Sequence, residues 1–127
     1  MFKIDDENKI IYLTRGDDAA ITFSAKDDEG NEFHPTVKDR LIFSVGKKWN
    51  DEPIFVITNE MEESEEAFWL ILIKPEHTKS LPVTKFNFDV QLERRDNTTG
   101  DLEFTNTIIG KTEEINPQFI LWGEMSE

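Results

Sequence analysis

Nine consecutive residues, from Lys85 to Glu93, alternate between polar and apolar side chains without a break. This alternation constrains the fold more than any other feature, because successive side chains of a β-strand point to opposite faces of the sheet. We therefore predict a half-buried strand at this position. Its inner face consists of Phe86, Phe88, Val90 and Leu92, and its outer face of Asn87, Asp89, Gln91 and Glu93.

Short apolar segments recur along the chain between clusters of Gly, Pro, Asn and Asp, a spacing typical of an all-β sandwich or barrel. About eight strands are predicted, at residues 9–14, 18–26, 40–47, 53–58, 67–74, 85–93, 102–111 and 118–123. One helical turn is predicted near residues 76–81. A chain of 127 residues suits a single domain with a buried core, and we expect residues 1–8 and 124–127 to be flexible ends.

The segment from Ser64 to Ile73 permits a second interpretation. A serine followed by two glutamates and an apolar run is also a helix start. The run from Phe68 to Ile73, however, is short, aromatic and β-branched, and a proline follows closely. These properties favour a strand that is buried on both faces.

A strand that is apolar on both faces needs more cover than a two-layer sandwich supplies. We expect Phe68, Leu70 and Leu72 to point inward, which leaves the opposite face to be covered by the chain's own tail, by a loop or by a second protein. The apolar C-terminal segment poses the same question, and a tryptophan in the loop at residues 46–53 is either a lid on the core or an anchor for a partner. The candidate partner-binding residues are Trp49, Trp69, Ile71, Ile73, Phe119, Leu121 and Trp122.

The net charge of −13 disfavours several classes of partner. An acidic surface repels phosphate backbones and anionic lipids, so we expect neither nucleic acid nor a membrane as partner. The sequence contains no apolar run of membrane-spanning length and no signal-peptide core at its start. These features predict a soluble protein made in the cytoplasm.

The sequence contains no recognisable catalytic or metal-binding motif. It has no cysteine, and its two histidines, His34 and His77, are far apart and outside any metal-ligand or nucleophile pattern. The acidic turn at residues 27–31 lacks the ligand spacing of an EF-hand loop. The triplet from Arg15 to Asp17 is interpreted as a tight connection in which glycine supplies backbone freedom. We therefore expect no enzyme activity, no metal and no cofactor.

Several segments, taken in order, resemble a family of small phage and prophage proteins of Gram-positive bacteria. The segments are Thr14–Asp17, Asp39–Val45, Ile73–Leu81, Phe86–Leu92 and Thr105–Gly110. That family is similar to the N-terminal domain of the baseplate upper protein of tailed phages. The likeness covers most of the chain, although Phe86 and Phe88 stand where the family often has tyrosines, and His77 where it often has aspartate.

The resemblance implies an immunoglobulin-like antiparallel β-sandwich that acts as a structural or adaptor protein in a phage or prophage tail or baseplate. It also implies a virion location after assembly in the host cytoplasm, with other tail or baseplate subunits, or further copies of the chain, as partners. The alternative function is that of a carbohydrate-binding sandwich, in which Trp49 would stack on a sugar ring beside Asn50.

Overall fold

The computed structural model describes residues 2–23, 29, 39–47, 52–60, 69–95, 98–110 and 112–123. Within these ranges it contains nine strands and one short helix. The strands are β1 (Phe2–Asp5), β2 (Ile10–Thr14), β3 (Ala19–Phe23), β4 (Asp39–Gly46), β5 (Phe55–Glu60), β6 (Trp69–Ile73), β7 (Lys85–Arg95), β8 (Leu102–Ile109) and β9 (Gln118–Trp122). The helix α1 (Pro75–Thr78) lies between β6 and β7.

All eight predicted strands are present, with boundaries that shift by a few residues. Residues 69–73 form a strand, so the alternative helix is wrong for this part of the segment. Residues 2–5 form β1, although they were expected to belong to a flexible end. The sequence marks β1 only weakly, because Phe2 and Ile4 are the sole sign of its alternation and an acidic run follows.

The strands form the all-β sandwich that the sequence predicts. Six strands of the larger sheet follow the order β1-β2-β9-β7-β4-β5, β8 also pairs with β7, and β3 and β6 form the second sheet. Among the described strands, every pairing is antiparallel except that of β2 with β9, which is parallel. The row β9-β7-β4-β5 opposite β3-β6 matches, in chain order, the GFCC′ and BE strands of an immunoglobulin-type sandwich.

Strands β8 and β9 pair with successive halves of one edge of β7. Strand β9 pairs with Lys85–Asn87, and β8 pairs with Val90–Arg95. Between them the chain leaves the sheet in a turn that is closed by a hydrogen bond from the Thr112 amide to the Ile115 carbonyl, 2.9 Å long. This departure lets the C-terminal segment return to the sheet beside β2.

The core lies between the two sheets and is rich in phenylalanine. The predicted inner face of β7 is confirmed, because Phe86, Phe88, Val90 and Leu92 are each at most 2% exposed. The Phe43 ring lies at the centre, with its centroid 5.4 Å from that of Phe88 and 6.3 Å from those of Phe23 and Phe119. One aromatic side chain of β4 thus contacts rings from both sheets.

A buried ion pair joins β4 to β7 near one end of the sandwich. Asp39 and Arg94 lie opposite each other in the strand register. The Arg94 guanidinium donates two hydrogen bonds to the Asp39 carboxylate, from Nε at 2.7 Å and from Nη2 at 3.0 Å. The Asp39 side chain is fully buried, so the arginine supplies the countercharge that its ionised form needs.

The connection between β2 and β3 is held against the segment around α1. The Thr78 hydroxyl, which is buried, accepts a 2.9 Å hydrogen bond from the Gly16 amide. Arg15 Nη1 donates to the Leu81 carbonyl at 3.1 Å, and Gly16 adopts a φ of 88° that glycine tolerates without strain. The interpretation of residues 15–17 as a tight connection is confirmed.

Candidate protein-docking surface

The side chains of β6 point the opposite way from the sequence prediction. Ile71 and Ile73 are fully buried, whereas Leu72 is 43% exposed. The pairing with β3 gives the reason, because Ile71 and Ile73 lie opposite Ile21 and Ala19, which also face the core. Assigning Ile71 and Ile73 to a partner-binding face is therefore wrong.

Phe119 and Leu121 are also core residues, since they are at most 1% exposed. Strand β9 lies between β2 and β7 and contributes these two side chains to the inner face of the larger sheet. The alternative in which the tail folds over the outer face of β6 is wrong for these residues, because β9 belongs to the larger sheet and Leu72 of β6 stays 43% exposed. Neither residue presents a surface to a partner.

Of the three tryptophans, Trp122 is the one whose side chain the structure describes, and it is 44% exposed. The backbone of Trp69 in β6 pairs with that of Phe23 in β3, but the Trp69 side chain lies outside the described part of the structure. Trp49 and Asn50 also lie outside the described residues. Trp122 therefore remains as the candidate anchor that the structure can place.

Trp122 belongs to an aromatic and aliphatic cluster on the outer face of the larger sheet, which we call the β2–β9 patch. The patch consists of Ile10, Tyr12, Ile120 and Trp122. Tyr12 lies opposite Ile120 in the parallel register, and the Tyr12 and Trp122 ring centroids are 5.7 Å apart at an interplanar angle of 63°. This edge-to-face geometry is favourable for aromatic pairs and holds the indole in place while leaving part of it open to solvent.

Main-chain hydrogen bonds on both sides of β9 hold the patch in place. The Arg15 amide donates to the Trp122 carbonyl at 2.9 Å, and the Leu121 amide donates to the Thr84 carbonyl at 3.0 Å. A rigid aromatic residue loses little conformational entropy when a partner covers it.

Two lysines flank the patch in a chain whose net charge is −13. Lys3 Nζ lies 5.8 Å from the centre of the Tyr12 ring, within the range of a cation–π contact. Lys85 belongs to the neighbouring strand β7, where it is exposed and lies opposite Ile120 of β9. Asp5 lies opposite Ile10 on the same face, so the border of the patch carries charges of both signs.

Trp122 could be predicted from the sequence as a candidate anchor, but the β2–β9 patch could not. Tyr12 and Ile120 come from opposite ends of the chain and meet only because β2 and β9 are paired. Their alternation marks them as outward-facing on their own strands, but no local signal indicates which strands become neighbours. The parallel pairing creates the surface.

Asp89 lies further along the outer face of β7, and partial burial raises the pKa of its carboxyl group. The folded state thus favours the neutral Asp89 carboxyl over the ionised one. The stability that Asp89 contributes is therefore fully present below its pKa in the unfolded chain, and it is lost as pH rises through its higher pKa in the folded state.

We expect Asp89→Asn to raise the melting temperature at pH 7 and to change it little near pH 3, because the amide stays neutral throughout. Thermal unfolding followed by circular dichroism at both pH values measures this. Asp101→Asn, at an exposed position, removes the same negative charge and serves as the control. Equal changes in melting temperature for Asp89→Asn and Asp101→Asn at both pH values would contradict the prediction.

The described residues contain no cluster of three or more His, Cys, Asp or Glu side chains suited to a metal ion. His77 has a structural role, since its Nδ1 accepts a 2.9 Å hydrogen bond from the Lys74 amide and its ring lies 5.6 Å from that of Phe55. His34 lies outside the described residues. No described helix is long and apolar enough to span a membrane.

Comparison with known proteins adds no relative, because no family, no curated protein and no solved structure matches this chain significantly.

Proposed function

We propose that this chain is a non-enzymatic structural or adaptor protein of a phage or prophage tail or baseplate, and that it acts through protein–protein contacts at the β2–β9 patch. The observation that carries the contact surface is the Trp122 indole, 44% exposed and packed edge-to-face on Tyr12. Tryptophan and tyrosine are the residue types most enriched among the energetically dominant residues of protein interfaces.

The contrast with the rest of the sheet supports this surface. The outer face of β7 carries Asn87, Asp89, Gln91 and Glu93, which are polar and need no cover. The neighbouring strands β2 and β9 instead present the four residues of the patch on this face, and Tyr12 lies directly opposite Ile120. Thr14 and Gln118 complete this face, opposite Trp122 and Ile10. Charges of both signs at the border, from Lys3, Lys85 and Asp5, favour a partner with complementary charges around an apolar centre. The assignment to a tail or baseplate is supported by the sequence resemblance.

The test is binding between the purified protein and the purified products of the genes that flank its own, measured by calorimetry. We expect a tail or baseplate subunit to bind, and we expect Trp122→Ala to weaken that binding at least tenfold, which corresponds to about 1.4 kcal/mol. Leu72→Ala is the matched control, because Leu72 is equally exposed at 43% but belongs to the other sheet.

Two results would contradict the proposal. In one, no tail or baseplate subunit binds; in the other, a subunit binds but Trp122→Ala has no more effect than Leu72→Ala. Binding to a glycan array would instead support the carbohydrate-binding alternative, which depends on Trp49 and Asn50 and stays a prediction.

A further inference from the structure

Among the described strands, the six-strand row of the larger sheet ends at β1 on one side and at β5 on the other, and β8 forms a further edge where it pairs with β7. The two ends differ. On the β5 side, the Asn59 side-chain amide donates a hydrogen bond to the Leu70 carbonyl of β6, which ties this edge to the second sheet. Strand β1 pairs with β2 on one side, and its other edge has no partner strand within the described residues.

The inner face of β1 is apolar but incompletely covered. Phe2 lies opposite Leu13, and Ile4 lies opposite Ile11, so all four side chains are directed to the same face of the sheet. Leu13 and Ile11 are at most 2% exposed, whereas Phe2 and Ile4 are 39% and 43% exposed. The core thus ends beneath β2, and β1 extends past it.

A cavity beside Ile4 shows the same incomplete cover. It has a volume of about 60 Å³, and its apolar lining includes Ile4, Ile11, Ile21 and Phe23. A strand with an open hydrogen-bonding edge and an uncovered apolar face is a template for pairing with another strand.

We propose that β1 pairs with β1 of a second copy of this chain, antiparallel and around a two-fold axis perpendicular to the sheet. The two larger sheets then continue into one, and Phe2 and Ile4 of each copy cover those of the other. A two-fold contact of this kind uses the same surface on both subunits and closes as a dimer. This inference goes beyond the proposed function and does not depend on it.

The side chains of β1 determine the register. Directly opposite residues share a face, so the inner faces coincide only when Ile4 lies opposite either Ile4 or Phe2 of the second copy. Placing Ile4 opposite Phe2 puts the two copies of Lys3 opposite each other, which is destabilising for like charges. Placing Ile4 opposite its own copy puts Lys3 opposite Asp5 twice, and this is the register that we assign.

The net charge of each subunit opposes association, because two chains of −13 repel each other. Salt screens this long-range repulsion at distances beyond about 10 Å at 0.1 M ionic strength, whereas the apolar contacts are not weakened by salt. The dimer is therefore expected to become tighter as sodium chloride is added. An association held together mainly by surface ion pairs would respond in the opposite direction.

Dimerisation places two β2–β9 patches on one face of the continuous sheet. Five strand spacings separate β9 of one copy from β9 of the other, which corresponds to about 24 Å. In the assigned register Ile4 aligns with Phe119, so the two Trp122 residues are also offset by six residues, about 20 Å, along the strands. The dimer would therefore present its two Trp122 side chains to a partner about 31 Å apart. A target with two-fold symmetry would then bind with avidity.

Sedimentation equilibrium on the full chain tests the association. We expect the weight-average mass to rise from 14.8 kDa towards twice that value with concentration, and to do so at lower concentration in higher salt. Ile4→Lys should abolish the rise, since a charged side chain would then lie at the interface. Val56→Lys is the control, because Val56 is 46% exposed on the opposite edge strand β5.

Cysteine crosslinking tests the register, and the absence of native cysteines leaves no background. We expect Ile4→Cys to form a disulfide-linked dimer on oxidation with diamide at least tenfold faster than Lys3→Cys or Val56→Cys. Faster crosslinking of Lys3→Cys would overturn the assigned register. A mass that stays at 14.8 kDa up to about 1 mM protein, a concentration that detects dissociation constants in the millimolar range, would overturn the dimer.

The two proposals fail in different ways. Ile4→Lys should remove dimerisation and leave the affinity of one patch for its partner unchanged. Trp122→Ala should weaken partner binding and leave dimerisation unchanged. Circular dichroism and thermal unfolding confirm that each variant is folded before either measurement is interpreted.

Discussion

Phe43→Ala is expected to lower the free energy of unfolding by about 4 kcal/mol, the middle of the range for removing a buried phenylalanine side chain. Phe43 is fully buried, and its ring contacts rings from both sheets. The substitution removes the apolar contact area and leaves a cavity that β4 cannot close, because β4 is paired on both edges, with β5 and β7. For a domain of this size the change corresponds to a drop in melting temperature of about 12–16 °C.

Urea unfolding followed by tryptophan fluorescence measures this loss. Phe43→Leu is the matched control, because leucine keeps most of the buried volume and should cost less than half as much. A loss below about 1 kcal/mol for Phe43→Ala would mean that the core repacks around the gap, and would contradict the central position of this ring.

Asp39→Asn is expected to lower the free energy of unfolding by about 3 kcal/mol, near the lower end of the range for breaking a buried ion pair from one side. The amide has almost the same shape as the carboxylate but removes the negative charge to which the Arg94 guanidinium donates two hydrogen bonds. We expect the lower end because the Arg94 side chain is still 23% exposed, and water can solvate part of its charge.

Asp6→Asn is the control, since the Asp6 carboxylate forms an ion pair with Lys9 at 2.8 Å and its side chain is 92% exposed. Exposed pairs contribute at most about 1 kcal/mol. The double variant Asp39→Asn with Arg94→Met should recover part of the lost stability, because it also removes the arginine charge from beside the buried amide. Equal losses for Asp39→Asn and Asp6→Asn would contradict the assignment of a buried pair.

Strand identity could be predicted from the sequence because it depends on local geometry. The alternation in β7 requires only that neighbouring side chains point to opposite faces, and the structure confirms its inner face residue by residue. Boundaries were less exact, since they depend on where pairing stops. For example, β7 extends to Arg95, two residues past the predicted end, because β8 continues to pair with it.

The direction of β6 could not be predicted by the same argument. Its residues from Trp69 to Ile73 are all apolar, so alternation supplies no signal, and a shift of one residue exchanges the two faces. The pairing with β3, which does alternate, determines that Ile71 and Ile73 are buried and Leu72 is exposed. This pairing is the physical reason that two of the seven predicted partner-binding residues, Ile71 and Ile73, lie in the core. Phe119 and Leu121 lie there for another reason, because β9 is paired between β2 and β7.

The sequence by itself determined the all-β class, the positions of eight strands, the acidic surface and the lack of cysteine chemistry. Each of these follows from composition or from contacts between near neighbours in the chain. The tertiary structure alone decided which strands pair, and with them the parallel β2–β9 contact, the aromatic patch and the open edge of β1. Pairings between distant segments depend on the free energy of the whole fold, since each closes a long loop and must bury enough apolar surface to offset the entropy lost.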